Sequence, residues 1–186
     1  MIVVLEGKVG SGKTLAAVAL ATLENQKSGK RILSNIRLNE IPYQLFDTND
    51  LLRMMSNSDE LSDCSIILDD GYMYVDSRSS QTKLNRLFSY LIMQSRMRGV
   101  DIYITTDSMS FLDKRVRMSC DIKGLCKYNR DRHICSVILL DLRTGTKKRI
   151  SFNANDFFSY IQNEERVMNE NPIERITENI NYRLLD

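Results

Sequence analysis

The chain is poor in the residues on which several function classes depend. It has one histidine, four cysteines and two prolines in 186 residues. The lone histidine, His133, sits in no supporting motif, which excludes a Ser/His/Asp triad. Cys120, Cys126 and Cys135 lack the short paired spacings of a metal site, so the thiols read as buried and reduced within strands. The same scarcity excludes a cysteine-stapled or collagen-like chain, and 42% hydrophobic residues exclude a disordered one. An excess of one charge is also missing. Lys and Arg number 26 against 24 Asp and Glu, for a net charge of +2, so bulk charge cannot drive nucleic-acid binding and any such contact needs local clusters. Long apolar runs are absent too. The longest, Leu15 to Leu23, is well short of the ~20 residues of a spanning helix, and Met1 to Glu6 has no basic n-region of a secretory signal. The expectation is a soluble intracellular protein with one core, able to bury roughly 70% of its unfolded surface.

What is present is an alternation of strands and helices. Ile2-Val3-Val4-Leu5 is the continuous apolar run of a strand buried on both faces. Leu15 to Gln26 reads as a helix of good formers closed by Gly29, and Arg31 to Ile36 as the next strand. Pro42 interrupts the polar stretch that follows, and Asn49 or Asp50 caps a short helix through Met55. Ser65 to Leu68 is a second buried strand. Gly71 to Thr82 is a loop, and the spacing of Leu84, Leu87, Phe88, Leu91 and Ile92 predicts a helix over Lys83–Arg98, ended by Gly99. Val100 to Thr106 is a third strand. Beyond Asp121 the pattern turns to adjacent β runs, Ile122–Tyr128, Ile134–Leu142 and Lys148–Phe152, the last two joined by a turn at Arg143–Thr146. The fold class is therefore α/β, a mostly parallel sheet flanked by helices with an antiparallel extension near the C-terminus. Residues 1–162 read as one domain, with a helix at Asn155 to Ile161. Residues 163–186 read as a polar tail of frayed or partner-dependent helix.

Gly7-Lys8-Val9-Gly10-Ser11-Gly12-Lys13-Thr14 fits the phosphate-binding loop G-x-x-x-x-G-K-[ST] at every fixed position, between a buried strand and a helix. Glycines admit a phosphate close to the backbone, and successive N–H groups at a helix N-terminus supply positive charge. Lys13 would reach the β- and γ-phosphates, and Thr14 would take a position on Mg²⁺. Ile66-Ile67-Leu68-Asp69-Asp70 supplies the acidic partner: Asp69 is the candidate Walker B aspartate, and Asp70 either polarises the attacking water or caps a turn. Arg96 and Arg98, or Lys114, Arg115 and Arg117, would hold an arginine finger for a neighbouring subunit, or serve as solvated helix ends. Lys147-Lys148-Arg149 reads as solvated surface.

The phosphate-binding loop, Gly29 to Ile36, Ile66 to Asp70, Gln94 to Thr106 and Leu112 to Arg117 together resemble the zonular occludens toxin family over roughly residues 1–130. That family belongs with the FtsK–HerA pumping ATPases, which include viral genome-packaging enzymes. The resemblance implies a RecA-like P-loop core with an additional strand, binding ATP and Mg²⁺ in a ring, expected to be a hexamer, that moves double-stranded DNA. It assigns Gly7, Val9, Gly10, Ser11, Gly12, Lys13 and Thr14 to the nucleotide, Asp69 to the metal, Asp70 to the water and Arg115 or Arg117 to the trans-acting role. Asp107 stands where the family usually has a sensor Gln, and would need a compensating cation. The family's assembly proteins typically carry a membrane span after the ATPase domain, and the expectation for this chain is that it brings no anchor of its own. The expectation is a packaging motor in the host cytoplasm or on the virion, with capsid or membrane proteins of a virus as partners. The alternatives are a particle-extrusion ATPase and a non-hydrolysing nucleotide-binding assembly module. The Gly71–Lys83 loop, with Tyr72, Tyr74, Arg78 and Lys83, is either a DNA grip or an ordinary loop whose tyrosines pack inward.

Overall fold

The computed structural model describes residues 1–56, 60–79, 83–156 and 181–185. Its strands are β1 (Ile2–Glu6), β2 (Arg31–Ser34), β3 (Gln44–Leu45), β4 (Cys64–Leu68), β5 (Asp101–Thr106), β6 (Ile122–Asn129), β7 (Ile134–Asp141), β8 (Lys147–Asn153) and β9 (Asn181–Leu185). The helices are α1 (Lys13–Ser28), α2 (Thr48–Ser56), α3 (Lys83–Gln94) and α4 (Lys114–Ser119). All the strands join one sheet in the order β3-β2-β4-β5-β1-β6-β7-β8-β9. Pairing is parallel from β3 to β6 and antiparallel from β6 to β9. β1, β4 and β5 carry apolar side chains on both faces because both faces are covered there.

Two cores result, one on each face. Val3, Leu5, Ile67 and Tyr103 point to α1, and that core runs on under the antiparallel extension through Cys126, Cys135, Val137, Ile150 and Phe152. Residues 15–19 of α1 are all buried, because the helix is wedged between the parallel strands and the extension; alanine at three of these positions permits the close approach. Ile2, Val4, Ile66, Leu68, Ile102 and Ile104 face the other way, onto Leu51 and Met54 of α2, Phe88, Leu91 and Ile92 of α3, and Val116 of α4. This second core takes no residue from β6, β7 or β8. Among the described residues, one sheet face is thus covered along most of its width, and the other only over its parallel half.

Several sequence expectations shift. The cap of α2 is Asp47 rather than Asn49 or Asp50: its carboxylate accepts the Asp50 N–H at 2.8 Å, and Asp50 returns a bond to the Asp47 N–H at 3.2 Å. α3 stops at Gln94, short of Arg98, where Ser95 turns its hydroxyl back onto the Ile92 carbonyl at 2.8 Å. Arg96 is held by the buried carboxylate of Asp121, which also accepts the Ile2 N–H at 2.8 Å. That places Arg96 at the end of β1 away from the phosphate-binding loop. Residues 181–185, read as part of a frayed helical tail, form β9 beside β8, with Tyr182 opposite Ile150. Most of the helix expected at 155–161, and residues 163–180, lie outside the described residues.

Candidate nucleotide-binding site

The site forms at the C-terminal ends of β1, β4 and β5. The loop leaves β1, turns through a Ser11 N–H bond to the Lys8 carbonyl at 3.1 Å, and enters α1 at Lys13. Gly12 has φ 84°, and a Cβ there would lie 2.8 Å from the Cys135 sulfur. Glycine is therefore required both by the left-handed backbone and by the close approach of β7. Lys13 is almost buried, and its Nζ donates to the Gly7 carbonyl at 2.9 Å, the Lys8 carbonyl at 3.3 Å and Asp107 Oδ1 at 2.8 Å. Asp107 is thus compensated by the lysine itself, the cation its position calls for.

Thr14, at the start of α1, donates its hydroxyl to Asp69 Oδ1 at 2.8 Å. Thr105 on β5 donates to the same oxygen at 2.7 Å and accepts the Asp70 N–H at 2.9 Å. Asn35, just past β2, clamps the backbone of Asp69 from the other side: its Nδ2 donates to the Asp69 carbonyl at 2.9 Å, and its Oδ1 accepts the Asp69 N–H at 2.8 Å. The acidic residue is therefore fixed from three elements. Asp70 follows in the left-handed region at φ 51°, ψ 51°, which aspartate tolerates better than most residues. Desolvation, and then the neighbouring Asp69 charge, pushes its carboxyl above the ordinary aspartate range. Gly71 packs so tightly on β5 that a Cβ would sit 2.2 Å from Ile104 Cγ2, which holds the chain after Asp70 against the strand.

A cleft of about 500 Å³ opens over the loop, between Asp107 and Ser108 on one side and Leu125 to Tyr128 on the other. That volume lies within the 300–1,000 Å³ range of small-ligand sites. Val9 projects at the loop's tip, 87% exposed. The β6–β7 hairpin brings a group that the sequence reading did not assign: Arg130 Nη2 lies 3.6 Å from where a Gly10 Cβ would stand. No motif announces Arg130, Asn35 or Thr105, because each reaches the site only through the sheet order. Arg115 and Arg117 are elsewhere, in α4, with Arg115 in its first turn and Arg117 in its last. The Arg115 guanidinium grips the Asp113 carboxylate through Nε at 3.0 Å and Nη2 at 3.1 Å, and holds that carboxyl below its usual range; Arg117 is exposed. In the loop after β4, Tyr74 packs on Phe88 with ring centroids 5.0 Å apart and meets Asn35 through its hydroxyl at 3.3 Å, so it faces inward. Tyr72 and Arg78 are exposed. All four cysteines are buried free thiols, with Cys126 and Cys135 pushed up to about 12 by burial.

The residues fit a magnesium nucleotide. Ser11 Oγ is buried within the loop without a hydrogen-bond partner, and a Thr hydroxyl and an Asp carboxylate oxygen stand together beside a nearly buried ammonium. Magnesium takes few protein ligands when phosphate oxygens and water complete its shell.

A parallel sheet with one strand, β5, between the phosphate-loop strand and the acidic strand is the additional-strand fold of P-loop ATPases. The chain belongs to the zonular occludens toxin (Zot) family, whose model matches residues 1–132. It is similar to the N-terminal domain of zonular occludens toxin from Neisseria meningitidis, with a TM-score of 0.56 and 17% identity over 100% of this chain and 93% of that one. It is also similar to the genome-packaging NTPase B204 of Sulfolobus turreted icosahedral virus 2, solved with ATP-γ-S, with a TM-score of 0.61 and 13% identity over 80% and 95% of the two chains. A KaiC-like protein, PH0186 of Pyrococcus horikoshii, gives a TM-score of 0.53 and 13% identity over 83% and 86%. No curated protein sequence matches the chain. Among the described residues, no helix is long and apolar enough to cross a membrane.

Proposed function

We propose that the chain is an ATP-hydrolysing subunit of a ring-shaped motor, with residues 1–162 as its working domain, and that the motor moves double-stranded DNA in packaging a viral genome. The convergence of the Thr14 and Thr105 hydroxyls on one oxygen of Asp69 carries the hydrolytic reading. It joins the phosphate-loop helix, the acidic strand and the strand between them into one centre. In this reading Thr14 and Asp69 hold Mg²⁺, which supplies charge neutralisation at the phosphates. Lys13 exchanges its carbonyl and Asp107 partners for phosphate oxygens, and the Gly10–Thr14 amides and Ser11 bind the same chain of oxygens. Arg130 adds a second cation over Gly10. Asp70 accepts the proton of the attacking water at its carboxylate, where its raised pKa strengthens it as a base. Arg117 is the better candidate for the arginine lent to a neighbouring subunit, because Arg115 is committed to Asp113.

The DNA part of the proposal rests on the likeness to B204, a genome-packaging NTPase. The family match favours a second reading, a particle-assembly ATPase acting on protein in the host cytoplasm. Steady-state ATP turnover with and without duplex DNA, measured together with the oligomeric mass, separates them. The packaging motor predicts a multimer whose turnover rises with duplex and vanishes in Lys13→Ala. A DNA-insensitive rate overturns the DNA assignment, and tight ATP binding without turnover overturns hydrolysis.

A further inference from the structure

The half of the sheet over which the described residues place no second helical layer has its own chemistry. On its outer face β6 presents Lys123, Leu125, Lys127 and Asn129. β7 presents Ile134, Ser136, Ile138 and Leu140, and β8 presents Lys147, Arg149, Ser151 and Asn153. These twelve positions include four cations and no carboxylate, in a chain whose cations and anions otherwise nearly balance. An ordinary solvated face of an antiparallel sheet mixes the two signs. At the border, Lys123 is neutralised by Glu6 at 2.7 Å. The others have no described ion-pair partner.

A concavity of about 410 Å³ lies on this face, lined chiefly by Lys127, Asn129, Arg132, Ser136, Arg149 and Ser151. Three cations converge on it, and Asp131, the carboxylate of the adjoining hairpin, is not in its lining. Ser136 and Ser151 bond to each other at 2.9 Å across β7 and β8, giving the floor a row of hydroxyls between the cations.

We infer that this face is a seat for the phosphodiester backbone of duplex nucleic acid. Arginine, lysine, serine and asparagine donors are the groups that phosphate oxygens take. Among the described residues no aromatic side chain lines the concavity, so they offer no platform for unstacked bases, and this favours a duplex over a single strand. Binding is therefore sequence-independent. Lys127 lines both this concavity and the cleft over the phosphate-binding loop, so the two sites share a wall. The inference deepens the DNA-motor reading and rests on it for the identity of the polymer. It also moves the main contact from the loop after β4, whose Tyr74 is internal, to the sheet.

The test is fluorescence anisotropy of the full chain with a labelled mixed-sequence duplex, titrated from 50 to 200 mM salt. Each phosphate contact contributes about −0.9 to the slope of log K against log salt. Arg132→Ser combined with Arg149→Ser should flatten the slope by about 2 per bound chain and weaken binding by roughly tenfold or more at 100 mM salt. Arg149→Lys should restore most of its share, and an unchanged melting temperature shows that both variants fold. Wild-type affinity and slope in the double variant would overturn the seat while leaving the motor reading intact. Tighter binding to the matching single strand, or equal displacement by polyglutamate, would overturn the duplex-backbone assignment. A wild-type chain that hydrolyses ATP but binds no duplex would overturn both the seat and the DNA part of the motor reading.

Discussion

Replacing Asp70 by asparagine separates the chemical role proposed for this residue from its structural one. Asparagine keeps the size of the side chain, and it also tolerates the left-handed backbone at φ 51°. The N–H bond to Thr105 at 2.9 Å comes from the main chain and survives. Only the charge and the ability to accept a proton are lost. The carboxyl titrates above the ordinary aspartate range because of burial and the adjacent Asp69. Between the unfolded and folded pKa values the native state therefore binds more protons than the unfolded chain, and stability falls as pH rises through that window. Removing the charge should stabilise the protein at neutral pH, with the gain disappearing in acid below the unfolded value. Asp70 is exposed enough for solvent to screen the repulsion, so the gain is about 0.5 kcal/mol, or about 1–2 °C in melting temperature for a chain of this size. Turnover should fall by ~10²–10⁴, the contribution of a positioned general base, while ATP affinity holds or tightens. Phosphate release in single-turnover mixing, thermal melting at pH 4 and pH 7.5, and nucleotide titration read the three quantities separately. A variant that hydrolyses within about threefold of wild type would refute the assignment. One that melts lower at neutral pH would refute the electrostatic argument.

Gly12→Ala should cost about 3 kcal/mol, combining the left-handed penalty with overpacking against Cys135, and should abolish nucleotide binding. Adding Cys135→Ala should return the packing part of the stability but not the backbone part, as a thermal-melting double-mutant cycle would resolve. Asp113→Ala removes the side-chain acceptor that caps α4 through the Arg115 N–H at 2.8 Å. It should cost about 1 kcal/mol at neutral pH. The carboxyl's lowered pKa makes that loss shrink as pH falls through the folded value, where the wild-type carboxyl is itself protonated. Iodoacetamide at pH 8 should label none of the four thiols of the native chain and all of them in denaturant, since every one is buried and raised to about 11 or 12. Mass spectrometry of the two samples is sufficient.

The parts of the molecule legible in the sequence are those written in local signals. The apolar runs at Ile2 and Ser65, the glycine-spaced loop at 7–14 and the turn at Arg143–Thr146 each carry their instruction within a few residues. The structure brings Lys13 onto Asp107 and Thr14 onto Asp69. Thr105, Asn35 and Arg130 were not legible, because their relation to Asp69 or Gly10 exists only once β5 lies between β1 and β4 and β6 lies beside β1. Nothing in a threonine at the end of a strand says which neighbour it will face. The strand at 181–185 was missed for a similar reason. Asn181 to Leu185 alternates too weakly to announce itself, and it is a strand because β8 offers an open edge.

The bond between Lys13 and Asp107 has one more consequence. In the proposed role Lys13 already holds a carboxylate, so an incoming phosphate must displace an ion pair rather than fill a bare charge. Affinity is lower than the loop alone would give. In the same proposed role, arrival of the phosphate would free Asp107, which opens the short connection that runs through Met109–Phe111 into Asp113 and α4. Filling the loop would thus release the first residue of the segment that carries Arg117.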